Sequence, residues 1–120
     1  MAVTYVIDAD TGIVMLTATG PTSTEDLVDY QNRLRADPAF RPAYHQLFDF
    51  REMKLTDIFS AQVESLLSTS PFSTTSRRAY VVSPGAVYGM ARVAEVMAEQ
   101  RLVLRLFDDI ESAREWLLQP

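Results

Sequence analysis

Cysteine is absent from the 120 residues. Disulfides, thiolate nucleophiles, iron–sulfur clusters and thiolate zinc sites are therefore excluded. Histidine and lysine occur once each, as His45 and Lys54, and tryptophan once, as Trp116. A Ser-His-Asp arrangement would have to use His45 as its base, and no G-x-S-x-G turn offers a serine to it. The four glycines, Gly12, Gly20, Gly85 and Gly89, stand singly, so no glycine-rich phosphate loop exists. No apolar run approaches the length of a membrane span. Residues 1–5, Met-Ala-Val-Thr-Tyr, lack the basic and apolar regions of a signal peptide, and a cytoplasmic location is expected. Positive charge is also scarce: 11 basic residues face 16 acidic ones, for a net charge of -5. That balance disfavours binding along a nucleic-acid backbone.

What is present reads as one globular α/β domain over residues 1–120, with 48% hydrophobic residues. Residues 3–7 and 13–18 read as strands joined by the Asp8–Gly12 turn, which predicts an antiparallel hairpin. Thr22 and Glu25 have capping-box spacing, and Leu27, Tyr30 and Leu34 recur at helical spacing until Asp37-Pro38. Residues 44–50 form a third strand, and 56–68 a helix with Phe59, Val63, Leu66 and Leu67 on one side. The serine- and threonine-rich stretch 68–76 reads as a solvated, mobile loop. Residues 78–83 are a fourth strand. A helix with Val87, Met90, Ala94 and Met97 follows, then a fifth strand over 102–107. Asp108-Asp109 begins a last helix carrying Ile110, Ala113 and Leu117. The alternation predicts a mixed five-stranded sheet, parallel apart from its first strand, with four helices.

Alternation within each strand splits the sheet into two expected faces. One is compact and aliphatic: Val14, Leu16, Ala18, Leu47, Ala79, Val81, Leu104 and Leu106. The other is aromatic and partly charged: Met15, Thr17, Gln46, Phe48, Phe50, Arg78, Tyr80, Val82, Arg105 and Phe107. The second set has two readings. Helices cover it with its arginines at the rim, or it stays partly open. In the open reading, Phe48, Phe50, Arg78, Tyr80, Arg105 and Phe107 form an interaction face for a protein partner or a second copy.

The stretches "QLFDFREM" (46–53), "RRAYVVS" (77–83), "YGMARVAEVMAEQ" (88–100) and "LRLFDDIESAREWL" (104–117) carry a resemblance. In their order and spacing they resemble the STAS fold of anti-sigma-factor antagonists. They are more similar to a STAS-like bacterial family of unsettled activity. The resemblance covers nearly the whole chain and implies a STAS-like β-α superhelix. It also implies a non-catalytic regulatory or protein-interaction module. Some members are phosphorylated on a serine at the start of the helix after the third strand. Some relatives with this layout hold apolar ligands or lipids.

The residues depart from the phosphorylation pattern. Asp57 matches the aspartate of the Asp-Ser-Ser-Gly motif, but Ile58 and Phe59 stand where its serines would be, and Ser60 falls on its glycine. Thr56 and Ser60 remain as phosphosite candidates. The alternative is that Thr56 or Asp57 caps the helix. Asp49, Asp57, Asp108 and Asp109 fall near one sheet edge, without the ligand spacing of a metal site. His45 reads as structural, Arg92 as paired with Glu95 or Glu99, and mid-helix Gly89 as a point of close approach. No catalytic, cofactor or metal residues are assigned. Two function classes remain. The first is an interaction module, expected to self-associate as a homodimer. The second is a carrier of a small apolar ligand, with a pocket under the 68–76 loop built from Phe59, Phe72, Tyr88 and Met90.

Overall fold

A computed structural model describes residues 3–120. The elements run β1 (Val3–Asp8), β2 (Ile13–Thr22), α1 (Thr24–Ala36), β3 (His45–Leu55), α2 (Ser60–Ser68), β4 (Arg77–Val81), α3 (Ala86–Ala98), β5 (Val103–Phe107) and α4 (Ile110–Leu118). The sheet order is β1-β2-β3-β4-β5. β1 pairs antiparallel with β2, and the other neighbours pair in parallel. This is the mixed sheet with an opening hairpin and four helices that the alternation of elements predicts.

Topology decides the layers. Each of α1, α2 and α3 carries the chain from one parallel strand to the next in the same direction. Crossovers of one hand then place all three helices on the same face. Packing agrees: Leu27 and Leu34 of α1, Val63 and Leu67 of α2, and Ala91 and Ala94 of α3 share a core with Leu16, Phe48 and Tyr80. α4 follows the last strand and makes no crossover. It lies on the other face, where Ala113 and Leu117 pack on Leu47, Ala79 and Val81.

Strand register corrects the expected faces. Leu16 lies opposite Phe48, Phe48 opposite Tyr80, and Tyr80 opposite Leu106. These four therefore share the three-helix face. Met15, Leu47, Ala79 and Arg105 share the α4 face. Alternation within each strand is as expected, but β3 and β4 are out of phase with the aliphatic–aromatic grouping. Both faces are covered, so either can take either residue type. Main-chain pairing, not chemical likeness, sets the phase.

Local chemistry shifts several boundaries. The capping box is Ser23/Asp26, not Thr22/Glu25. The Asp26 amide donates to Ser23 Oγ at 3.1 Å, and the Ser23 amide donates to the Asp26 carboxylate at 2.9 Å. Thr22 belongs to β2. β3 runs on to Leu55 because the tails of β2 and β3 stay paired beyond a bulge, where Thr17 to Thr19 spans Asp49 to Glu52. The extra residue on β3 changes its phase. Phe50 and Met53, at odd spacing, thus both join the three-helix core.

The 68–76 loop is packed rather than solvated. Phe72 is buried, with its ring centroid 5.1 Å from that of Phe40 in an edge-to-face contact. Ser73 N–H and Ser76 Oγ–H both donate to the Pro42 carbonyl, at 2.8 and 2.9 Å. A buried aromatic and satisfied polar groups override the loop-like composition.

Candidate functional site

Between the sheet and the α1–α3 layer lies a cavity of about 80 Å³. Strand register orders its floor. Gln46 and Arg78 lie at one end, Phe48 and Tyr80 come next, and Phe50, Met53 and Leu55 follow toward the other. The helices add Leu27 and Tyr30, Val63 and Leu67, and Met90, Ala91 and Ala94. At its Phe50 end the cavity adjoins a groove of about 340 Å³ edged by Arg51, Lys54 and Ser83. Phe50, Met53, Leu55 and Val87 line both.

The sequence builds this space in two ways. The Phe48 and Tyr80 rings stack at 5.1 Å, and Phe50 meets them edge-on at 5.0 and 5.3 Å. Such mutually packed rings form a stiff wall. Facing it, α3 presents Ala91 and Ala94, whose short side chains do not fill the gap.

Polar groups are few in this lining. Arg78 is 1% exposed. It donates from Nη1 to the Ser76 carbonyl at 2.9 Å, and from Nη2 to the Ser73 and Phe72 carbonyls at 3.2 and 3.4 Å. Among the described residues no carboxylate lies within ion-pairing distance of it. The hydroxyl of Tyr30, itself buried, has no hydrogen-bond partner among the described residues. Gln46 is buried and also lines the cavity.

Burial pushes the Tyr80 phenol up to about 12, against the opposing effects of the Arg78 charge and Gln46. Burial also raises Tyr30 well above its ordinary value, followed by the effects of Tyr80 and Tyr5. The Arg78 guanidinium is lowered by burial. At neutral pH both phenols are uncharged and Arg78 is a cation. The lining contains no carboxylate, imidazole or amine.

The expected pocket residues divide. Phe72 and Met90 line the cavity. Phe59 and Tyr88 do not: they are 64% and 45% exposed, and their neighbours Ile58 and Val87 turn inward instead. Helical phase explains α3, since Val87, Met90, Ala91 and Ala94 form the inward stripe and Tyr88 lies one step off it. The expected open interaction face is also divided. Phe48, Phe50, Arg78 and Tyr80 are buried under three helices. Phe107 and Arg105 stand on the opposite face beside Trp116, with Phe107 5.6 Å from its ring and the Arg105 guanidinium 6.0 Å from it. The strand-phase difference above is the cause.

Of the residues at the switch address, Thr56 and Asp57 are engaged elsewhere in the fold. α2 begins at Ser60 with Phe59 as its N-cap, later than expected, and neither Thr56 nor Asp57 caps it. Thr56 Oγ1 instead donates to the Thr22 carbonyl at 2.9 Å. Asp57 accepts from the Thr24 amide at 2.7 Å, capping α1 rather than α2. Ser60 is exposed at the first position of α2. Gln62 supplies the local contact by accepting from the Phe59 amide.

Among the described residues no three His, Cys, Asp or Glu side chains are grouped to hold a metal. Asp49 is bound by Arg51, whose Nε–H and Nη2–H donate to it at 2.9 and 3.0 Å, and this pairing lowers its pKa. Asp109 caps α4 by accepting from the Ser112 amide at 2.7 Å. His45 Nδ1 accepts from the Arg77 amide at 2.9 Å, tying β3 to β4. Arg92 pairs with Glu95. A Cβ placed on Gly89 would meet nothing within 4 Å, so no close approach explains that glycine. Sequence reasoning missed Tyr30 and Gln31 as polar members of the site. Gln31 Nε2 donates to the Leu66 carbonyl at 2.9 Å. Their signal was present: a phenol and an amide on the inward side of an otherwise apolar stripe.

Comparison with known proteins bears on the fold. No family model matches the chain, and no curated protein matches it. The structure is similar to an uncharacterized protein of the DUF3478 family with a SpoIIAA-like fold, from Shewanella loihica PV-4. The TM-score is 0.66 at 20% identity, over 97% of this chain and 92% of that one. The chain therefore has a SpoIIAA-like, STAS-like α/β fold.

Proposed function

We propose that the chain is a small non-catalytic binding protein that holds an apolar molecule between its sheet and the α1–α3 layer. The observation that carries this reading is the cavity: an apolar lining, small residues where the helix layer faces the aromatic wall, and a buried Tyr30 hydroxyl without a partner. Cavities with an apolar wall and few polar groups are the usual form of small-molecule sites. The lining supports binding rather than catalysis, because it has no side chain able to act as a base near neutral pH. The test is native mass spectrometry of the purified chain, followed by calorimetric titration with small apolar compounds. The expected result is a releasable small molecule, or direct binding that raises Tm with ligand concentration. Ala91→Leu, which fills the void, is expected to lose binding while staying folded. A ligand-free chain that binds none of the compounds would overturn the reading.

A second reading keeps the regulatory interaction module implied by the fold. Phe59 and Tyr88 favour it, as exposed aromatics near the N-terminal ends of the contacting helices α2 and α3. Exposed aromatics suit a partner surface. Light scattering over a concentration series tests the self-associating form. A wild-type chain that is monomeric throughout would sink it; a dimer lost on Phe59→Ser and Tyr88→Ser would support it.

A further inference from the structure

We propose that the molecule held in this cavity is an amphiphile with one carboxylate head, seated at the Arg78 end with its apolar tail along Phe48 and Phe50 toward the groove. This inference rests on the apolar-ligand reading and adds the chemistry of the head group.

Arg78 is the reason. A buried charge is costly unless it is paired, and this guanidinium has backbone carbonyls but no carboxylate around it. Carbonyl dipoles satisfy part of its hydrogen bonding and leave its net charge uncompensated. Among the described residues its hydrogen bonds run from Nη1 and Nη2 to backbone carbonyls alone. Carboxylates are the anions that a guanidinium fork matches in shape and charge. The cross-strand register sets Gln46 beside Arg78. Tyr80 and Tyr30 share the same lining, each with its ring against that of Phe48. A line of neutral hydrogen-bonding groups thus leads away from the one cation. Beyond it the floor is aromatic and then aliphatic, which suits a tail.

The charge balance selects the class of head. Arg78 is the only ionised side chain in the lining. One cation neutralises one carboxylate. A phosphate monoester carries roughly −1.5 to −2 at pH 7 and would leave negative charge buried. An ammonium head would add a second positive charge. The cavity of about 80 Å³ is smaller than the 150 Å³ apolar cavity that accommodates benzene. The head and a short length of chain therefore occupy the interior, and a longer chain passes on into the adjoining groove.

The test is calorimetric titration of the full chain with octanoate, octanol and octylamine at pH 7, which share a tail and differ in the head. Octanoate is expected to bind at least about tenfold tighter than octanol, as a charge-assisted hydrogen bond requires, with octylamine weakest. Arg78→Gln is expected to remove that preference. Because Arg78 also holds the 72–76 loop, this variant can fail to fold, and the wild-type series then decides alone. Equal binding of octanoate and octanol would overturn the carboxylate head and leave the apolar site standing. Tightest binding by octylamine would overturn it in the same way. If none of the three binds, the head-group assignment and the apolar site fall together.

Discussion

The two faces of the sheet are made from the same five strands and packed to different ends. Under α4, Leu47, Ala79, Val81, Ala113 and Leu117 fit together at 0 to 2% exposure. Under α1–α3, larger side chains leave a cavity, an unpartnered hydroxyl and an unpaired cation. Size alone does not produce good packing. The small residues of the α4 face let a single helix seat closely, whereas stacked aromatics opposite Ala91 and Ala94 keep a gap open. A tight face thus holds the fold together, and a looser one leaves the space in which we propose a ligand sits.

The largest effect is expected on the tight face. Leu47→Ala removes a fully buried side chain where neighbours have little room to collapse, and should cost about 2–5 kcal/mol. Chemical denaturation measures it. A loss below about 1 kcal/mol would mean that the α4 face is not the better packed one.

Overpacking gives the next contrast. Ala79→Leu forces a large side chain between the sheet and α4 and should cost about 1–3 kcal/mol. Ala94→Leu puts the same side chain into the cavity and should cost less than Ala79→Leu, while blocking the site. Equal losses in the two variants would erase the difference between the faces.

Much of this division is unreadable in the sequence for a definite reason. Turn residues, periodic stripes and acidic helix starts announce the elements, so the hairpin, the succession of strands and helices along the chain and the Asp109 start of α4 are legible. The relative phase of neighbouring strands is not a property of any one strand. Leu16 faces Phe48 because of main-chain pairing, and Met53 joins the same core because of the bulge further along β3; neither leaves a mark in residue type. A cavity is harder still, since it consists of missing atoms. Phe72 and Met90 were legible as lining because they are apolar and close to the loop. The apolar stripe points Phe59 inward, yet as N-cap it lies outside the helix and does not share its phase. Residue type leaves Arg78 at a rim or in an open interaction face, because a charge ordinarily keeps water; its burial at 1% exposure is visible only in the structure.

A smaller effect sharpens the comparison through the helix layer. Gly89 sits in α3 with open space where a side chain would go. Gly89→Ala should therefore stabilise the chain by about 0.5–1 kcal/mol without altering ligand binding, because the added methyl is remote from the cavity lining. Thermal unfolding and titration read the two effects separately. A loss of binding would mean that the flexibility of α3, rather than the void, admits the ligand.

Acid provides the smallest contrast. Burial, followed by the nearby Arg77 charge, holds His45 below its ordinary value of 6.5. The unfolded chain takes up a proton near pH 6.5, whereas the folded chain does so only at lower pH. The contribution is thus intact above pH 6.5, declines as pH falls toward the folded pKa, and is constant below it. Asp49 follows the same sign in a lower window, since its pairing with Arg51 is intact above its ordinary 3.8 and is lost on further acidification. The cavity lining is silent through both windows, because its phenols are raised and its one cation is a guanidinium. Stability measured by denaturation between pH 7 and 5 should dip slightly in the wild type and stay level in His45→Asn, whose Oδ1, attached to Cγ as Nδ1 is, can still accept from the Arg77 amide. An identical dip in that variant would move the titration away from the β3–β4 junction.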